Sequence, residues 1–435
     1  MISMGTAFLG FALMLGLMAL GIHVAAAMFL IGTLGAIVFL SPATLMSFGT
    51  VNWGIVNDSI LTAIPLYVLL GEIMLRSGMA ERMYRSISSW ITFLPGGLLH
   101  TNIAASAMFA AVSGSSLATA ATIGTVAIPT LDDRGYNARM TLGSIAAGST
   151  LGILIPPSIG MIIYGAITNT SIGGLFMAGI VPGLLLTAIF MSLIAIASMI
   201  RPDICGQREE APPLAEKLRG LVHLIGPAGI ILVIICSIYL GWATPTESAA
   251  IGVVAALLFS AASRRLTFGM LHEAFKSTVR VSGMILLLVV SAFFLNFVIS
   301  ILGVTQTVTQ FVLGIEATPT QTILFLVIFY LVLGCFMETM SMMIATVPVV
   351  VPVVVSMGFD PIWFGVVLVL LMEMALITPP VGLNLYVVQS VRKSGPIQDT
   401  ILGAVPFLLA MLFCVILLII FPQIALWVPN NMAGH

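Results

Sequence analysis

Ser113-Gly114-Ser115-Ser116-Leu117-Ala118-Thr119 sits inside a run, residues 86–131, that holds no Asp, Glu, Lys or Arg. The stretch is small and rich in hydroxyls. The apolar arms on either side are each about 15 residues, or ~22 Å at 1.5 Å per residue, short of a ~30 Å hydrocarbon core. Arg85 and Arg134 flank the run on what must then be the same side of the membrane. The stretch therefore reads as the tip of a re-entrant hairpin spanning about 98–131; two tight full spans are the alternative. A related stretch at 334–343, containing Glu338-Thr339, reads as the tip of a second hairpin at about 320–357.

Composition fixes the setting. The 435-residue chain is 60% hydrophobic and 7% charged, with mean hydropathy +1.19, which no soluble domain matches. It is an all-α polytopic membrane protein. A net charge of -1 argues against a nucleic-acid partner. Cys205, Cys236, Cys335 and Cys414 have no metal-ligand or disulfide spacing and read as small apolar fillers. The first apolar run has no basic region ahead of it and leads into further spans, so it reads as a transmembrane helix, not a signal peptide. There is no GxSxG, HExxH or P-loop, and the five histidines lie far apart in sequence, so nothing supports an enzyme.

Apolar runs place helices at about 4–20, 23–41 and 58–77, an amphipathic connector at 79–92, hairpin 1, a segment at 137–169 interrupted by Pro156-Pro157, and a helix at 174–200. The polar residues 201–220 read as a linker. Helices follow at about 221–241, 247–263 and 281–302, with a basic connector at 264–280 expected to lie along the membrane interface like 79–92. Hairpin 2, a segment at 361–391 interrupted by Pro379-Pro380, a last helix at 401–428 and a polar tail at 429–435 complete the chain.

The second half repeats the first at an offset of 223: Pro129 falls on Pro352, Gly135 on Gly358, Pro156-Pro157 on Pro379-Pro380, and Ser115-Ser116 on Glu338-Thr339. Residues 1–200 and 221–428 thus read as two repeats, each of five spans plus a hairpin, about ten transmembrane helices in all. Five is odd, so the repeats are inverted. With that topology all 15 Lys and Arg residues, Arg208 and Lys393 among them, fall on one face, which the positive-inside rule makes cytoplasmic. Loops 305–319 and 358–361 on the other face carry no basic residue. Both termini are then expected outside.

Irregular backbone at membrane depth survives only where protein or a water-filled cavity covers it. A proline pair must break its helix, freeing carbonyls mid-membrane. Carbonyls and hydroxyls suit a Na⁺ ion, and half-helix N-termini favour an anion. Inverted repeats with discontinuous segments in matching positions point to a secondary-transporter site. The first cluster is Ser113, Gly114, Ser115, Ser116 and Thr119 with Pro156, Pro157 and Ser158; the bland reading is that small residues only let helices pack closely. The second is Met337, Glu338, Thr339 and Met340 with Thr378, Pro379, Pro380, Gly382 and Asn384. Ionisable groups at membrane depth are costly and default to functional suspects, which singles out Glu338 and Glu373. Glu72 and Arg76 read as a helix-face pair, and Asp58 and Glu247 as solvated or capping residues at helix ends. No basic residue lies at membrane depth to hold an anion.

The run 113–119 with Gly124 and Pro129, the motif Ile155-Pro156-Pro157-Ser158, and Thr378-Pro379-Pro380-Val381-Gly382 with Asn384 together resemble the large membrane (M, DctM-like) subunit of tripartite ATP-independent periplasmic (TRAP) transporters, over nearly the whole chain. The resemblance implies an elevator mechanism, with a transport domain carrying both hairpins against a scaffold, in a bacterial inner membrane. It implies a small four-helix membrane subunit (Q), here a separate chain, and a periplasmic substrate-binding protein (P). It implies uptake of organic acids, such as C4-dicarboxylates, 2-oxo acids or sialic acids, driven by Na⁺. Carried over by position, Ser113, Gly114, Ser115 and Ser116 with the break at Pro156 would hold one Na⁺, and Thr339, Thr378 and Gly382 another. Ser116, Thr119, Ser158, Glu338, Thr339, Pro380 and Asn384 would line the solute between the tips. A stand-alone anion carrier of the same inverted-repeat type is the alternative; an ion channel or a purely structural subunit is a further one.

Overall fold

In the computed structural model, residues 3–207, 213–314, 318–392 and 394–431 are described. Arg208, Lys393 and the tail beyond residue 431 lie outside them. All regular structure among the described residues is helical.

The first half runs α1 (Met4–Ala19), α2 (Val24–Phe39), α3 (Ser47–Val56), α4 (Ala63–Arg76), α5 (Met79–Ile91), α6 (Leu98–Ser113), α7 (Ser116–Asp133), α8 (Ala138–Ser149), α9 (Leu151–Leu154), α10 (Ile159–Thr168) and α11 (Ile172–Ile200). The second runs α12 (Leu214–Tyr239), α13 (Pro245–Ala262), α14 (Phe268–Leu302), α15 (Val304–Gly314), α16 (Pro319–Gly334), α17 (Thr339–Ser356), α18 (Pro361–Ala375), α19 (Leu383–Arg392), α20 (Ile397–Ile420) and α21 (Gln423–Leu426).

The offset of 223 extends to the elements themselves. Adding it to α7 gives the bounds of α17, and adding it to the start of α8 gives the start of α18. The caps follow: Ser115 and Glu338 open the second arms of the hairpins, and Asn137 and Asp360 open the broken helices, each accepting backbone N–H groups that a helix start leaves unpaired. Gly135 and Gly358, at matching turns, both take positive φ. The bonds Pro156-Pro157 and Pro379-Pro380 are both cis.

Seven helices among the described residues are long and apolar enough to span a membrane, or eight when α4 and α5, bent by 71° at Ser77-Gly78, count as one. One of the seven is α17, a hairpin arm. The spans of the ten-helix reading that fall outside the seven are the bent α4–α5 pair, the 16-residue α1 and α2, and the second broken helix. Inner and outer helices separate by burial. In the most apolar window of 138–168, 83% of residues are buried, against 28% for α11 and for α12. Leu184, Ile196, Leu232, Leu258 and Leu287 point outward, as side chains in contact with lipid do.

Three expectations need correction. The connector at 264–280 is not a separate interfacial segment. With no proline between Phe268 and Leu302, it runs unbroken into the following span as a 35-residue helix of about 52 Å, so its basic end projects beyond a ~30 Å core. The counterpart of α5 is α15, which ends 223 residues after α5 ends. The linker 201–220 is shorter than expected, because α12 starts at Leu214 and takes in Lys217 and Arg219; Lys217 Nζ sits 5.9 Å from the centre of the Trp90 ring. The last helix covers 397–420, not 401–428, and α3 occupies a region the apolar pattern left unassigned.

Because lipid is as apolar as leucine, membrane helices hold together through close packing and internal hydrogen bonds. The crossing of α8 and α20 shows this: a Cβ on Gly143 would overlap Gly403 O, and one on Gly403 would overlap Arg139 O. At one end of this crossing, Asp399 accepts from Arg139 Nε and Arg392 Nη1, each at 3.1 Å. A buried chain of hydrogen bonds joins the bent arm to hairpin 1 and the first broken helix. Tyr84 OH donates to Asn102 Oδ1 (2.7 Å), and Asn102 Nδ2 donates to Ser144 Oγ (2.9 Å). Glu72 pairs with Arg76 at 3.1 Å as expected, and also accepts from Ser277 Oγ on α14 at 2.6 Å. Glu247 completes a capping box with Thr244.

Candidate functional site

α6 and α7 form hairpin 1, with arms of 16 and 18 residues. The chain reverses at Gly114, whose φ of +59° is a left-handed conformation that side chains with a Cβ rarely adopt. The tip is stitched internally. Ser113 Oγ lies 3.1 Å from Thr119 Oγ1, Thr119 Oγ1 donates to Ser115 O at 2.8 Å, and Ser115 Oγ accepts from Ala118 N at 3.4 Å. α16 and α17 form hairpin 2. Its tip is closed by Glu338, whose carboxylate accepts from Met340 N, Ser341 N and Thr339 Oγ1, each at 3.0 Å, and from Ser341 Oγ at 3.2 Å.

Each tip closes on the proline break of its own half. A Cβ on Gly114 would lie 3.1 Å from Pro157 O, and one on Gly152 would lie 2.8 Å from Ser116 N, so a side chain at either position would push the tip away from the break. In the second half, a Cβ on Gly334 would overlap that of Ala375, and Cys335 Sγ donates to Pro379 O at 3.3 Å.

The hairpins also reach across to the other half. α7 packs on α19 and α17 packs on α10. A Cβ on Gly160 would touch Met343 Cε at 3.4 Å and Met340 Cε at 3.7 Å. Ser116 Oγ meets both carboxylate oxygens of Glu373, at 2.9 and 2.8 Å, and Asn384 Nδ2 donates to Ser149 Oγ at 2.9 Å.

The two residue clusters expected from the sequence are thus brought into one central region, though they are not equally open. Ser116, Thr119, Ser158 and Asn384 are buried and engaged within the protein: Ser158 Oγ caps α10 by accepting from Met161 N. Thr378 donates to Met374 O at 2.7 Å, and Pro380 O accepts from Tyr386 OH at 3.1 Å. A Cβ on Gly382, which has φ +31°, would lie 3.1 Å from Thr378 O. Thr339 is turned to its own cap residue, Glu338, and among the described residues no hydrogen bond joins it to Thr378 or Gly382. Sequence reasoning noted Glu373 but not its partner. The two residues are 257 apart, and helical periodicity does not reach that far.

Among the described residues no group of three or more His, Cys, Asp or Glu could hold a transition metal. The oxygens gathered at the tips are hydroxyls, carbonyls and two carboxylates, a set suited to hard cations. Two helical hairpins closing on two proline-broken helices, inside a layer of lipid-facing spans, define a membrane carrier of the discontinuous-helix class.

Comparison with known proteins narrows this. Residues 11–424 match the family described as "Tripartite ATP-independent periplasmic transporter, DctM component". The chain is 34% identical to the C4-dicarboxylate TRAP transporter large permease protein DctM of Pseudomonas aeruginosa, over 92% of this chain and 93% of that one. It is 32% identical to the sialic acid TRAP transporter large permease protein SiaM of Vibrio cholerae, over 88% and 89%. It is 34% identical to the ectoine/5-hydroxyectoine TRAP transporter large permease protein UehC of Ruegeria pomeroyi, over 86% and 87%. The fold is also that of the YdaH transporter from Alcanivorax borkumensis, with a TM-score of 0.53 at 15% identity over 85% of this chain and 89% of that one. The chain belongs to the DctM family, the large permease subunits of TRAP transporters, as the sequence resemblance implied. Its relatives are transporter permeases, which points away from an enzyme.

Proposed function

We infer that this chain is the large subunit of a Na⁺-coupled importer of small organic acids in a bacterial inner membrane. It receives its solute from a periplasmic substrate-binding protein and works beside a small four-helix membrane subunit. The two halves are inverted repeats in this reading, both termini face the periplasm, and the solute site moves across the membrane as an elevator, with the hairpins and broken helices carried against the remaining helices. One observation supports it above the others: both hairpin tips close on proline breaks and on the opposite half, which gathers hydroxyls and backbone carbonyls in a buried centre. Ser113, Ser115 and Ser116 with the carbonyls at Pro156-Pro157 fit one Na⁺; Thr378 and Gly382 fit a second, which Thr339 joins only by turning away from Glu338. No basic side chain is needed if helix ends, hydroxyls and Na⁺ neutralise the solute carboxylate. The names of the relatives span C4-dicarboxylate, sialic acid and ectoine transport. A thermal-shift screen of candidate acids on the partner binding protein is the route to this chain's own solute.

The reading predicts solute uptake into proteoliposomes only with a Na⁺ gradient and the cognate binding protein. Uptake without the binding protein would remove the tripartite assignment, and uptake indifferent to Na⁺ would remove the coupling.

A further inference from the structure

Glu373 has no exposed surface, and among the described residues its two carboxylate oxygens share a single neutral donor, the Ser116 hydroxyl. Among the described residues the ion pairs join Glu72 to Arg76, Glu81 to Arg85, and Asp399 to Arg139 and Arg392; none involves Glu373. One hydroxyl proton compensates a buried carboxylate poorly, and a charge left unpaired at membrane depth is strongly unfavourable. The position is also a junction. Ser116 belongs to tip 1, which Gly152 lets close tightly on the first broken helix. Glu373 lies on the second broken helix, two residues before Ala375, where Gly334 of hairpin 2 makes its closest approach.

We propose that Glu373 and Ser116 form the charged half of a Na⁺ site that bridges the two repeats. The proposal deepens the Na⁺-coupled reading above and rests on it. A carboxylate and a hydroxyl from opposite halves are hard oxygen ligands, and a monovalent cation between them cancels the carboxylate charge. The chemistry then supplies a coupling rule. With the ion bound, tip 1 and the second broken helix are held together by a neutral cluster that can cross the membrane. Without it, the same movement must either carry an uncompensated carboxylate or wait until that carboxylate takes up a proton.

The test is thermal unfolding of the purified full chain across a NaCl series, with choline chloride holding ionic strength constant and KCl as the selectivity control. The wild-type midpoint should climb with Na⁺ and not with K⁺. Glu373→Gln keeps the shape and an acceptor for Ser116 but removes the charge, so it should raise the Na⁺ concentration for half the effect at least tenfold. A Glu373→Gln protein that responds to Na⁺ as the wild type does overturns the role of Glu373 while leaving Na⁺ coupling standing. A wild type indifferent to Na⁺ overturns both. If Glu373→Gln does not fold, Glu373→Asp, which withdraws the carboxylate by one methylene, should change the ranking of Li⁺ against Na⁺ in the same assay; an unchanged ranking and an unchanged half-effect overturn the proposal.

Discussion

Replacing Gly114 with alanine tests how tightly hairpin 1 is held to its break, and Gly135 provides the control. Both glycines are left-handed, at φ +59° and +71°. A residue with a Cβ is disfavoured there by about 1–2 kcal/mol, and that penalty should be common to Gly114→Ala and Gly135→Ala. The surroundings differ. A Cβ at Gly135 meets nothing within 4 Å, whereas one at Gly114 lies 3.1 Å from Pro157 O. That oxygen is backbone, fixed between Pro157 and the capped start of α10, so the tip must move by a few tenths of an ångström. Overpacking of this kind adds about 1–3 kcal/mol. Gly114→Ala should therefore be destabilised by about 2–5 kcal/mol in all, and Gly135→Ala by about 1–2 kcal/mol. Thermal midpoints in detergent, followed by solute uptake in proteoliposomes, separate the two. Gly135→Ala should transport at near the wild-type rate once matched for folded protein, while Gly114→Ala should not. Equal loss of stability and equal uptake in both variants would refute the close seating of the tip on the break.

Ser115→Ala with Ser116→Ala should raise the Na⁺ concentration for half-maximal uptake, and should also lower the thermal midpoint, because Ser115 caps α7 and Ser116 donates to the buried Glu373; unchanged Na⁺ dependence counts against a Na⁺ site at this tip. Asn384→Leu should cost about 1–3 kcal/mol by stripping Ser149 of a buried donor, and adding Ser149→Ala should return part of that loss in a double-mutant cycle, whereas strict additivity would deny the contact. Asp399→Asn should lower the thermal midpoint at low ionic strength, with the gap to wild type narrowing toward about 1 M salt, where screening acts within ~3 Å; a gap independent of salt would mean that the Arg139 and Arg392 contacts matter only for shape.

Much of the fold is written in punctuation. Proline pairs interrupt helices because they lack a donor and clash with the preceding turn. Matching Pro and Gly positions revealed the repeat because few other residues satisfy those backbone demands. α15 escaped notice because its polar face is Thr and Gln, with no charge to mark an interfacial helix. The basic residues at 264–280 drew attention to the wrong segment, since charge says where a helix leaves the membrane and not whether it bends. The hydroxyl-rich tip was visible as an anomaly in an apolar run. Its contact with Glu373, and that of Asn384 with Ser149, arise from helices brought together only by the complete packing, and neither leaves a local periodic trace.

The crossing of hairpins onto opposite halves also bears on how the protein is made. Ser116 reaches the ribosome exit 257 residues before Glu373. At about 5–20 residues per second, the first tip waits roughly 13–50 s for its partner. Throughout that interval the hydroxyl-lined tip lacks the partner that Glu373 supplies. Closure of the first tip therefore waits on α18, and a ribosome stalled before that helix leaves the first half without this contact.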